Sequence, residues 1–155
     1  MKVIEADKIV FFDCDDTLVM WGHENHPDAV TFKDIYDPNP NAVYALVPHQ
    51  RHVKMVSTYK QHNYTVVVWS QGGWQWAKEV VRVLGLEDKV DLVMSKPDVY
   101  VDDLEASRFM QRKYFKSRIV YPEEAVPEPV TRDTTGWYLK DEIVDSIIIA
   151  NEEDK

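Results

Sequence analysis

The chain has 155 residues, 45% of them hydrophobic and 29% charged, with a formal net charge of −9 at pH 7. This length suits a single domain over 1–155 with a real core, and the acidic balance excludes broad, salt-driven binding to nucleic acid, which needs a basic footprint. With no apolar run near membrane-span length, no signal-peptide pattern and one cysteine, Cys14, the expectation is a cytoplasmic protein without membrane association or an intramolecular disulfide.

Residues 8–13 read as a first strand. Ile9, Val10, Phe11 and Phe12 form an apolar run suited to a parallel strand buried on both faces. The run ends in Asp13-Cys14-Asp15-Asp16-Thr17-Leu18. Carboxylates this close repel one another unless a cation or a proton sits among them. Residues 19–48 lack helical periodicity and carry Pro27, Pro38, Pro40 and Pro48, which predicts a loop or irregular hairpin excursion, a flap too small for a second domain. Residues 49–62 fit a moderately amphipathic helix after Pro48. The β-branched run over 65–70 predicts a buried strand ending at Ser70. After Gly72-Gly73, residues 74–84 return as a helix with Ala77, Val80, Val81 and Leu84 on one face and Gly85 as its stop.

Residues 90–94 predict a third strand and 99–101 a short fourth, ending at Asp102-Asp103. A helix over 104–113 and a closing strand over 117–121 would follow. Residues 122–155 form a C-terminal extension, opening with a proline-rich connection over 122–129; residues 136–150 fit a buried helix or a strand equally. Strands alternating with helices predict an α/β fold, a three-layer sandwich with a mainly parallel sheet.

In such a sheet the C-terminal strand ends share one edge, where ligands bind. Asp13 and Asp15, Ser70, and Asp102 with Asp103 would therefore converge there, with Lys96 six residues before Asp102. This set supplies a carboxylate nucleophile, a second carboxylic acid, a hydroxyl, an ammonium and acids for a hard cation such as Mg²⁺. Phosphoryl transfer needs that inventory.

The segment Asp13-Cys14-Asp15-Asp16-Thr17-Leu18 resembles motif I of the haloacid dehalogenase-like hydrolases, and Ser70, Lys96 and Asp102-Asp103 are similar in order and placement to motifs II, III and IV. The resemblance spans roughly 8–121. It implies a Rossmann-like fold and a Mg²⁺-dependent phosphomonoester hydrolase. Asp13 would be the nucleophile, forming an aspartyl-phosphate. Asp15 would act as acid and then base, a duty that requires burial or neighbouring carboxylates to keep a proton on it. Thr17, Ser70, Gln71 and Lys96 would bind the phosphoryl group. The cation would be held by Asp13, the backbone carbonyl of Asp15, and Asp102 assisted by Asp103. Lys96 lies closer to the acidic pair than in the many relatives that insert a helix there, and Asp16 takes a place where glycine or glutamate is frequent.

The family selects substrates through cap domains, and neither 19–48 nor the segment between Ser70 and Lys96 has room for one. A capless member is implied. Such enzymes act on macromolecular ends or borrow a lid from a second copy in a homo-oligomer, which leaves nucleotide, polynucleotide 3′-phosphate and phosphoprotein substrates open. Trp21, Trp74 and Trp76 could stack on a base, although packing of Trp74 or Trp76 on the sheet is the better expectation. The spaced pairs His23/His26 and His49/His52 lack the partners of a zinc site and read as exposed or loop histidines. Cys14, between acids, reads as a small buried residue rather than a thiolate nucleophile. Two other classes compete with the enzyme: a receiver-like phosphorylatable signalling domain and a phosphate-binding protein without turnover. A receiver would carry its aspartate after a middle strand, where this chain has Ser70.

Overall fold

The computed structural model describes residues 1–117 and 119–122. Its chain order is β1 (Ile9–Phe12), β2 (Val19–Met20), β3 (Val30–Lys33), β4 (Val43–Pro48), α1 (Gln50–Gln61), β5 (Thr65–Ser70), α2 (Trp74–Val83) and β6 (Leu92–Ser95), followed by a 3₁₀ turn at Ala106–Arg108. Strands β1, β5 and β6 form a parallel sheet with β5 in the middle. The central strand is the most apolar because it is covered on both faces: Val66, Val67 and Val68 are all buried. Phe12 meets Tyr59 of α1 edge-on at 5.9 Å. Ala77, Val80 and Val81 bury the predicted face of α2 in the same core. The described part is thus a small α/β fold, a three-stranded parallel sheet with two helices.

The stretch 19–48 is not an irregular excursion. It forms a second, antiparallel sheet in the order β2-β4-β3, with Val19 opposite Pro48 and Val30 opposite Leu46. Pro27 falls in the β2–β3 connection, and Pro38 and Pro40 in the β3–β4 connection, so the prolines punctuate the strands without interrupting them. Only Phe32 of β3 is buried, too little alternation to register as a strand pattern. Buried Glu79 of α2 fastens this sheet to the first, its carboxylate accepting the Lys33 backbone N–H at 3.3 Å and the Arg82 guanidinium.

Beyond β6 the expected elements do not form. Residues 99–101 are exposed and pair with no strand. The Asp102 side chain instead accepts the Leu104 backbone N–H at 2.9 Å, a local bond that competes with regular structure. The helix expected over 104–113 is reduced to the 3₁₀ turn, and 117–121 carries no strand among its described residues. Residues 136–150 lie outside the described residues. No helix among the described residues is long and apolar enough to cross a membrane.

The segment around Phe115 is held by histidines instead of a strand ladder. His49 Nδ1 accepts the His52 backbone N–H, so its Nε2–H donates to the Phe115 carbonyl at 2.7 Å. His52 Nε2 accepts the Phe115 N–H at 3.0 Å, so its Nδ1–H donates to the Thr17 carbonyl at 2.7 Å. The two rings stack at 3.7 Å. His26 binds the Val120 carbonyl and His23 the Tyr121 hydroxyl. His26, His49 and His52 are therefore buried backbone clasps, not the exposed histidines expected from the sequence.

Burial pushes the His52 imidazole down from 6.5 to about 4, with the facing His49 and Arg51 acting in the same direction against the Thr17 hydrogen bond. The unfolded chain therefore takes up a proton at lower acidity than the native one. Stability from this group is complete above about 6.5 and is lost as pH falls toward about 4, a loss on the order of 3 kcal/mol. Thermal midpoints measured across that window should fall with pH in the wild type. His52→Phe should show a shallower fall, and an equal slope in both proteins would refute the assignment.

Candidate active site

The loop after β1 folds around one carbonyl. The Cys14 oxygen accepts the backbone N–H groups of Thr17, Leu18 and Val19 at 3.2, 2.9 and 3.1 Å. This turn places Asp16 at φ +57°, a left-handed conformation that aspartate tolerates better than bulkier residues. Asp16 thereby gains a role: its Oδ1 accepts the Trp21 backbone N–H, and its carbonyl accepts the Tyr114 hydroxyl. Cys14 points inward and is fully buried. Burial, then the charges of Asp13 and Asp15, push its thiol far up against the smaller pull of Lys96, so it stays protonated and non-nucleophilic.

Asp13 points the other way. Thr17 Oγ1 donates to its Oδ2 at 3.4 Å, and Lys96 Nζ stands 3.5 Å from its Oδ1. The two charged side chains are 32% and 30% exposed, reachable from solvent yet held by the fold. Lys96 sits there because β6 runs parallel to β5 and pairing continues one residue past the strand: the Lys96 N–H donates to the Ser70 carbonyl at 2.9 Å. Three positions distant in sequence are thus joined at one sheet edge, as the topology of parallel strands predicts.

Asp15 has two partners that the sequence did not advertise. Its Oδ1 accepts Trp21 Nε1–H at 2.8 Å and Trp76 Nε1–H at 3.0 Å. Trp76 is buried among Phe32, Tyr44 and Trp21, as the packing expectation required, while Trp21 and Trp74 remain partly exposed.

Ser70 is buried at the end of β5, where its Oγ accepts the Gly72 N–H at 3.0 Å; Gln71 beside it is exposed. Gly73 opens α2 at φ +104°, and a Cβ there would lie 2.7 Å from the Tyr36 hydroxyl oxygen, so only glycine fits. That hydroxyl donates to the Gly72 carbonyl, bringing the β3–β4 connection against the loop after Ser70.

Asp102 and Asp103 are exposed, and among the described residues no three His, Cys, Asp or Glu side chains gather closely enough to hold a metal ion. The structure therefore joins Asp13, Thr17 and Lys96, ties Asp15 to two indoles, and leaves the acidic pair outside that cluster. A charged nucleophile beside an ammonium and a second carboxylate two residues away can support covalent transfer of an electrophilic, anionic group.

A family model described as NLI interacting factor-like phosphatase matches residues 8–117, more than half of the chain and the whole span from Asp13 to Asp103. No curated protein and no solved structure matches.

Proposed function

Since the chain belongs to the NLI interacting factor-like phosphatase family, we propose that this phosphatase hydrolyses phosphomonoesters with Mg²⁺ through an aspartyl-phosphate on Asp13. The observation that carries the reading is the Asp13 carboxylate set between the Thr17 hydroxyl and the Lys96 ammonium at the open end of β1. Agreement with the capless haloacid dehalogenase-like pattern supports it, and with it the three-layer fold.

In this reading an Asp13 carboxylate oxygen attacks phosphorus in line with the ester oxygen. The bond to the leaving oxygen breaks as Asp15 hands it a proton. Asp15 then takes a proton from water, whose oxygen attacks phosphorus and releases Asp13 and inorganic phosphate. Lys96 offsets charge on Asp13 and on the phosphoryl oxygens, and Ser70 and Gln71 orient the group. The oxygen donors at the loop suit a hard cation: the Asp13 carboxylate and the Asp15 carbonyl would hold it, and Asp102 and Asp103 would complete the set only by moving in from the exposed position they occupy here. Mg²⁺, when bound, adds positive charge against the phosphoryl oxygens.

A nucleotide or a polynucleotide 3′-phosphate is the proposed substrate class. The partly exposed rings of Trp21 and Tyr36, next to Asp15 and Gly72, support it as surfaces on which a base can stack. Phosphate release from p-nitrophenyl phosphate should require Mg²⁺, cease with a chelator and return on re-addition. Absence of release at every Mg²⁺ concentration would overturn the reading. A panel of nucleotides, 3′-phosphorylated oligonucleotides, sugar phosphates and phosphopeptides then ranks substrates.

A further inference from the structure

We propose that Trp21 and Trp76 are positioning residues for Asp15, their two indole N–H groups taking up Oδ1 so that Oδ2 is the oxygen that exchanges a proton with the leaving group. The inference rests on the phosphomonoesterase reading above and adds to it a directional acid. Indole nitrogen donates only, and a carboxylate oxygen offers about two acceptor sites. Bonds at 2.8 and 3.0 Å to the same oxygen therefore use both of its sites and leave the other oxygen for chemistry.

The donors come from different parts of the fold. Trp76 lies on α2 and is locked by Phe32 and Tyr44, at 5.9 and 6.0 Å between centroids. Trp21 follows β2, packs edge-on to Tyr44 at 4.8 Å, and has its backbone N–H on Asp16. Asp15 itself hangs from the turn after β1. One carboxylate is thus triangulated from three elements, and its rotamer is determined before substrate arrives. A side chain held in this way avoids the orientational cost that an acid on a free loop would meet in each turnover. The antiparallel sheet carries Phe32 and Tyr44, so it acts through the indoles on the acid as well as walling the site.

Phenylalanine keeps the ring and removes the N–H. The quantity to compare is kcat/KM, which covers only steps up to departure of the leaving group, so the later duty of Asp15 as base does not enter. A poor alkyl leaving group needs the acid, whereas p-nitrophenolate hardly does. Trp76→Phe should lower kcat/KM for an alkyl phosphate by about 10- to 100-fold, below the full value of a positioned acid, and change it by about threefold or less for p-nitrophenyl phosphate. Trp21→Phe, at a partly exposed ring that tolerates replacement, should show the same selective loss if Trp76→Phe folds poorly. Equal losses on both substrates, or none, would overturn the proposal.

A second measurement is independent of turnover. In Asp15→Ala the indole N–H signals of both tryptophans should shift in a ¹⁵N–¹H spectrum, and two unmoved signals would refute the bonds themselves. Undiminished activity in Asp13→Asn would instead refute the underlying phosphatase mechanism, so the two failures are separable.

Discussion

Asp13→Asn should lose phosphate release by about 10⁴-fold or more while remaining folded. The substitution is nearly isosteric, and the amide oxygen can still accept the Thr17 hydroxyl now on Asp13. What disappears is the anionic oxygen that must form the bond to phosphorus; a neutral amide is a far weaker nucleophile. The cost to stability is small, because the ion pair with Lys96 is partly exposed and such pairs are worth about 1 kcal/mol at most. Turnover of p-nitrophenyl phosphate and the thermal midpoint should be measured on the same preparation. Activity within about tenfold of wild type would sink the nucleophile assignment, since loss of a covalent nucleophile costs far more.

Lys96→Ala should reduce kcat by about 100- to 1,000-fold, the usual cost of deleting one preorganised group that meets transition-state charge. The main chain at this position is held by the bond to the Ser70 carbonyl, so the substitution removes the ammonium without moving the strand end. Arginine should not restore full activity. A planar fork cannot occupy the same point 3.5 Å from Asp13 Oδ1 with the same geometry. Saturation kinetics distinguish this role from simple recruitment: an effect confined to KM, with kcat unchanged, would show that Lys96 binds substrate without serving the transition state.

The parts of the fold legible from sequence are those whose signal is local. The β-branched run of β5, the apolar face of α2 and the acids after β1 declare themselves within a few residues. Asp13 and Lys96 could be brought together in advance because parallel strands put their C-terminal ends on one edge. Sheet β2-β4-β3 escaped because its strands are short and half-exposed, and three of the four prolines in 19–48 sit between strands while Pro48 ends β4. Nothing local in 99–101 or 104–113 anticipates that the Asp102 side chain will bond the Leu104 N–H in place of a strand end and a helix start. The Trp76 bond to Asp15 and the histidine clasps on Phe115 join positions far apart in the chain. Nothing in local composition distinguishes a tryptophan that packs from one that also donates, or a loop histidine from one with both ring nitrogens engaged.

Cys14 carries a practical consequence. It is the single thiol of the chain, fully buried beneath the turn that presents Asp13 to solvent. A maleimide or disulfide reagent can reach it only when that turn opens, and it must meet a thiolate that burial suppresses in the closed form. The labelling rate therefore clocks the breathing of the catalytic turn. Comparing that rate with and without a bound phosphate analogue would read how firmly occupancy of the site shuts the turn.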